Sequence, residues 1–114
     1  MKKIDYAIVF VSDMQRSVAF YRDVVGYPLR FESPGWTEFA TEGTTLALHL
    51  QGETPAGVCL PGVSVEDLDA FHADVTAKGV RCVKPPRQQE SIRLAQYADP
   101  DGLTFSVSER PHHN

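Results

Sequence analysis

His49 is the side chain best placed for chemistry in this sequence. It sits in Thr45-Leu46-Ala47-Leu48-His49-Leu50, where alternation puts three leucines on one face of a strand and Thr45, Ala47 and His49 on the other. The leucine face needs an apolar partner, so His49 is directed to the opposite side. An imidazole in that position serves as a hydrogen-bonded structural group, as a ligand contact or, more narrowly, as a general base. Tyr6 stands in Ile4–Val11 (IDYAIVFV) and alternates with Ile8 and Phe10, opposite Ala7, Val9 and Val11. The smaller set suits a helix-facing layer and the larger set a binding surface, with core packing the simpler role for Phe10. Trp36 and Phe39 have opposite parity on one short strand, so at most one of them joins that surface unless a bulge intervenes. Ser106 alternates with Phe105 and Val107 and takes the same side as Tyr6, Ile8 and His49. Arg93, on the same strand face as Tyr97, either holds a carboxylate with its planar fork or is simply solvated.

Other reactive residue types have ordinary explanations. Asp99-Pro100-Asp101-Gly102 lacks the alternating oxygen ligands and distal Glu of a calcium loop and reads as a tight turn. Glu66, Asp67 and Asp69 stand at a helix start, where carboxylates favour the helix dipole. His72 falls mid-helix and is expected at the surface, and His112 and His113 lie in a polar tail without partners nearby. Cys59 and Cys82 form no Cys-x-x-Cys motif and are expected to be reduced, mostly buried thiols. No phosphate-binding glycine loop, serine elbow or zinc motif is present.

Two sets of elements must position these residues. The first strand, Ile4–Val11, is followed by Ser12 or Asp13 as a helix cap and by Met14, Val18, Tyr21 and Val25 on one helical face, closed by Gly26. Strands follow at 29–32, 36–41 and 44–50. After the polar segment Gln51–Gly57 the order recurs: a strand at 58–65 interrupted by Pro61-Gly62, a helix at 66–78 ended by Gly79, a strand at 80–84 stopped by Pro85-Pro86, then strands at 91–97 and 103–107. Val11-Ser12-Asp13-Met14 and Val65-Glu66-Asp67-Leu68 match at the two strand-to-helix junctions. A unit of this kind has one uncovered sheet face, which a second unit can complete. The expected fold class is α+β: two βαβββ modules, about residues 1–51 and 57–109 of a single domain, forming a curved eight-stranded mixed sheet with a central cleft and helices outside.

Composition narrows the partners. A chain of 114 residues suits one domain. A net charge of −4 without a Lys/Arg cluster argues against nucleic acid. No apolar run nears the ~20 residues needed to span a bilayer. The basic pair Lys2-Lys3 precedes a strand rather than a signal sequence, which makes the cytoplasm the expected location.

The organisation resembles the vicinal-oxygen-chelate superfamily, which includes glyoxalases, bleomycin-resistance proteins and extradiol dioxygenases. Three stretches carry the resemblance: Phe10 to Ser17 leading into Val18-Ala19-Phe20-Tyr21 and Gly26, the paired strands of Trp36–Leu50, and the closing Asp99-Pro100-Asp101-Gly102 turn with its alternating strand. In metal-dependent members the ligands fall at positions that correspond here to Tyr6, His49, Leu60 and Ser106. Only His49 is an ordinary ligand, whereas a catalytic metal centre needs about three. The resemblance therefore implies a small-molecule-binding protein without the usual metal and with no predicted cofactor. Its ligand, a small organic molecule, is expected among Tyr6, Ile8, Trp36 or Phe39, His49, Leu60, Arg93 and Ser106. The alternative is an enzyme: a glyoxalase-like lyase or isomerase with an atypical metal site around His49, or a metal-independent catalyst using His49 or Tyr6. Relatives commonly pair, so a homodimer is expected.

Overall fold

In the computed structural model, residues 2–89 and 91–109 are described; the tail expected to fray from Arg110 lies outside them. The chain divides into two compact units, Asp5–Cys59 and the described residues from Leu60 onward with the first few of the chain. Each contributes four strands of mixed direction and one α-helix, the α+β class.

The first unit runs β1 (Lys3–Val11), α1 (Met14–Ala19), β2 (Leu29–Glu32), β3 (Trp36–Phe39) and β4 (Thr45–Leu50). Asp13 caps α1: its backbone is extended and its side chain accepts the Arg16 N–H at 3.1 Å. The helix then widens into a π-helical turn, Phe20–Val25, and stops at Gly26, whose φ of 93° favours glycine. The strand order is β2-β3-β4-β1, with β1 and β4 parallel and β3 antiparallel to both its neighbours. Val11, Met14, Val18, Phe39 and Leu48 form the core, with Val9, Tyr21 and Leu46 against it. Val25 was expected on this apolar face but is 45% exposed, because the wider π turn carries it past the stripe. Leu50 also leaves the expected layer, at the exposed end of β4.

The second unit repeats the plan with β5 (Cys59–Val65), α2 (Leu68–Ala77), β6 (Arg81–Gln89), β7 (Ile92–Ala98) and β8 (Thr104–Glu109). Asp67 caps α2 by accepting the Ala70 N–H at 3.0 Å, and Gly79 follows the helix with φ 88°. The order is β5-β8-β7-β6, with the first and last strands again parallel. Val65, Leu68, Ala95, Tyr97 and Val107 form its core. The matched junction tetrapeptides thus correspond to matched caps, and each unit closes its sheet with a parallel pair.

Several expectations are corrected by local geometry. Pro85-Pro86 does not end β6, and Pro61-Gly62 does not interrupt β5. The ladder of β6 shifts register between Cys82 and Lys84 and again between Lys84 and Arg87, and β6 is the edge strand of its order, where proline's missing N–H is tolerated. Cys59 is exposed rather than buried, and both cysteines are free. The segment after β4 is tied back to β1, with the Gln51 N–H donating to the Val11 carbonyl at 2.8 Å and the Gly57 N–H to that of Phe10 at 2.9 Å. The Asp99 turn forms as expected: Asp99 Oδ1 accepts the N–H groups of Asp101 and Leu103 at 3.0 and 2.8 Å.

His72 is also more than a surface group. Its Nδ1 lies 2.9 Å from the hydroxyl of Tyr97, which is fully buried. Burial pushes the Tyr97 hydroxyl up to about 12, with Cys82 and Asp69 adding to the rise. Above pH 10 an unfolded chain releases this proton while the folded one retains it, so stability falls as pH rises from about 10 to about 12. Denaturant midpoints measured across that window should drop, and Tyr97→Phe should flatten the drop. Each of Asp13→Ala and Asp67→Ala should lower unfolding free energy by about 1 kcal/mol. Urea titration followed by far-UV circular dichroism checks both.

Candidate functional site

The face of the first unit's sheet opposite α1 gathers the chemistry-bearing residues. Phe39, Leu48, Val9 and Val11 point toward α1, so their strand neighbours point away. Trp36 pairs directly with His49 across β3 and β4, and Phe10 pairs with His49 across β1 and β4. His49 is therefore framed by two aromatic rings. The Phe10 ring lies 4.9 Å from the imidazole at a tilt of 32°, and the Trp36 ring 5.9 Å away, edge-on at 88°. Tyr6 meets the other side of Trp36 at 5.9 Å, also edge-on.

Hydrogen bonds set the orientation of these groups. His49 Nδ1 lies 2.7 Å from the Leu50 carbonyl oxygen. A carbonyl only accepts, so Nδ1 carries a proton and donates it, which in the neutral imidazole leaves Nε2 as the acceptor. His49 is exposed, so that lone pair is presented outward. Trp36 Nε1 donates to Glu38 Oε2 at 2.8 Å, while Arg30 donates to the other Glu38 oxygen at 2.8 Å and to Thr45 Oγ1 at 2.6 Å. Glu38 thus spends both oxygens in locking the indole and neutralising Arg30. Burial, with Glu38 and Asp5 adding to it, raises the Tyr6 hydroxyl above its ordinary range. Tyr6 is therefore a neutral O–H at physiological pH, a donor rather than a phenolate base.

The placement of the expected residues can now be given one by one. Tyr6, Ile8, Trp36 and His49 share the face opposite α1, and Ile8 and its partner Ala47 form its buried floor. Phe39 does not join them. It is fully buried against α1, so of the two aromatics on β3 only Trp36 takes this side. Leu60 and Ser106 lie on the second unit's face opposite α2, since Val63, Val65, Phe105 and Val107 occupy the α2 side. Arg93 holds carboxylates, but those of this chain. It shares the α2 side with Ala95 and Tyr97 and is held by Asp69 at 2.7 Å and Glu109 at 3.6 Å, so its fork is engaged in structural ion pairs. Glu38 and Arg30 were missed, and Thr45, already on the His49 face by alternation, was given no role. Parity alone would have found Glu38, two residues from Trp36 and hence on its face.

At the four positions that the resemblance matches to the metal ligands of metal-dependent members, the chain offers one imidazole, one phenol, one alkyl group and one hydroxyl. This donor set does not fit a catalytic divalent ion, which needs about three good ligands. Among the described residues no three His, Cys, Asp or Glu side chains come together to hold a metal. A depression of about 280 Å³ at the N-terminal end of α2, lined by Val65, Asp67, Phe71 and Asp74 among others, contains none of the expected residues.

The family model of the Glyoxalase/Bleomycin resistance protein/Dioxygenase superfamily matches residues 3–107. The chain belongs to this superfamily. It is 31% identical to the uncharacterized protein YraH of Bacillus subtilis (strain 168), over 82% of this chain and 87% of that one. Two solved structures share the superfamily member's fold. NAD-dependent benzaldehyde dehydrogenase from Legionella pneumophila superposes with a TM-score of 0.81 at 20% identity, covering 93% of this chain and 98% of its own. Methylmalonyl-CoA epimerase from Mycobacterium tuberculosis superposes with a TM-score of 0.78 at 19% identity, covering 95% and 87%. At these identities the likeness concerns the fold alone. No helix among the described residues is long and apolar enough to cross a membrane.

The Glu38 contacts give a direct test of this geometry. Glu38→Ala should lower unfolding free energy by about 1–3 kcal/mol, the loss expected for charge-assisted hydrogen bonds, toward the low end because Arg30 is half exposed. Trp36 is the chain's single tryptophan, so its emission maximum should shift in the same variant. Unchanged emission would mean that the indole is not held by Glu38.

Proposed function

We propose that this protein binds a small organic molecule of modest polarity on the first unit's face opposite α1, and that it does so without a divalent metal. The observation that carries this reading is the exposed His49 imidazole, framed by Phe10 and Trp36 with its Nε2 lone pair presented outward. Aromatic rings supply flat apolar contact, while Nε2 accepts and the neutral Tyr6 hydroxyl donates a hydrogen bond. Glu38, the carboxylate on this face, is neutralised by Arg30, so a hard cation finds little to hold it. The protein acts in this reading as a cytoplasmic homodimer.

A second reading is an enzyme in which His49 Nε2 takes a proton from a bound substrate and the Tyr6 hydroxyl donates to a developing oxyanion. The Nδ1–H to Leu50 bond favours it, because it fixes the tautomer that a base at Nε2 requires. Incubation with methylglyoxal and glutathione, with and without added Ni, Zn or Mn, separates the readings. Turnover supports the second, and metal-dependent turnover abolished in His49→Ala would overturn the metal-free claim.

Native mass spectrometry of protein from cell extract identifies a retained molecule, and Trp36 emission follows its rebinding. His49→Ala and Tyr6→Phe should each weaken that binding by about 0.5–1.5 kcal/mol, the worth of one neutral hydrogen bond. His72→Ala should leave the affinity unchanged while reducing stability. Equal losses of affinity from His72→Ala and His49→Ala would place the binding surface elsewhere.

A further inference from the structure

The second unit's sheet carries two polar atoms that are shut off from solvent and bonded to nothing among the described residues: Nη1 of Arg87 and Oγ of Ser64. Both belong to the face opposite α2. Strand pairing sets them on one cross-sheet row, with Arg87 opposite Leu94, Leu94 opposite Ser108, and Ser108 opposite Ser64. The adjacent row is Lys84, Gln96, Ser106 and Gly62. Phe105, Val107, Ala95 and Tyr97 take the intervening positions and pack on the α2 side.

Arg87 reaches this face because of the irregularity at Pro85-Pro86. Lys84 pairs with Gln96 and Arg87 with Leu94, so three steps along β6 match two along β7. Without the extra residue Arg87 would sit opposite Arg93, on the α2 side. The irregularity thus brings a permanently charged guanidinium to a face whose strand positions hold hydroxyls, amides, apolar groups and the Lys84 ammonium, with no Asp or Glu among the described residues.

Two other arginines are matched differently. Arg93 meets Asp69 and Glu109, and Arg30 meets Glu38. Arg87 has no carboxylate partner among the described residues. A buried donor left without an acceptor costs about 1–3 kcal/mol, and more when it is charged. Ser64 adds a second such cost at 2% exposure.

We infer that this face binds a small organic anion, a carboxylate or a phosphate ester, with its acidic group held by Arg87. The guanidinium fork matches either oxyanion through two parallel N–H bonds. The organic body lies over Leu94 toward Ser108 and Ser64, whose hydroxyl meets a polar atom at the far end. This needs only the second unit and does not rest on the aromatic face of the first.

Isothermal titration of the full chain at constant ionic strength, with phenyl phosphate, benzoate and inorganic phosphate, tests it. Saturable binding of phenyl phosphate or benzoate is expected, and the tighter of the two names the acidic group. Arg87→Ala should weaken that binding about tenfold or more, as loss of a charge-assisted hydrogen bond does. Arg87→Lys should retain part of it, keeping the charge without the fork. Ser64→Ala should raise the unfolding midpoint of the anion-free protein, because it removes an unpartnered buried hydroxyl, and yet weaken anion binding. If Arg87→Ala does not fold by circular dichroism, the Arg87→Lys and Ser64→Ala variants carry the test. The inference is overturned if none of the three anions binds saturably to the wild-type protein. It is equally overturned if Arg87→Lys and Ser64→Ala bind as the wild type does.

Discussion

A sheet has two faces and each unit of this protein has one helix, so the helix claims one face and every alternate residue belongs to the other. That constraint governs the molecule. In the first unit Val11, Phe39 and Leu48 go to α1 with Met14 and Val18. In the second, Val65, Ala95, Tyr97 and Val107 go to α2 with Leu68. Because side chains alternate strictly along an extended strand, settling the apolar set also settles where Tyr6, Trp36, His49 and Ser64 must point.

The same constraint makes irregularities informative. A bulge reverses parity, so it is the means by which a residue reaches the face its neighbours' pattern denies it. Arg87 crosses over in this way, at the edge strand where two consecutive prolines can be accommodated. Arg93 lies on a regular stretch of β7, stays on the helix side, and finds two carboxylates there. Two arginines on neighbouring strands therefore have opposite surroundings, and only the register between the strands distinguishes them.

Superfamily membership sets the architecture but not the chemistry. At the positions that the resemblance matches to metal ligands the chain has Tyr6, His49, Leu60 and Ser106, a set with a single good ligand. What the first unit offers instead is aromatic surface, one oriented imidazole and one protonated phenol, with the nearby carboxylate already engaged by Arg30 and Trp36. Hydrogen bonding and apolar contact are what such a surface can do.

Much of this was legible from the chain alone, because the signals are local. Hydrophobic period, the Asp13 and Asp67 caps, the glycines that end both helices and the repeated junction tetrapeptides depend on residues within a few positions of one another, and they led to the α+β class and the doubled unit. Parity put Tyr6, Ile8 and His49 on one side and allowed only one of Trp36 and Phe39 to join them. Tertiary structure decided that Trp36 does so, because Phe39 fills the space beneath Tyr21 and Leu48. It decided that His72 holds the Tyr97 hydroxyl, a contact between residues 25 apart that no local pattern encodes. It also decided the surroundings of Arg87 and Arg93, since charge pairing depends on which strand lies alongside and in what register, and that is set by the packing of the whole sheet rather than by any one segment.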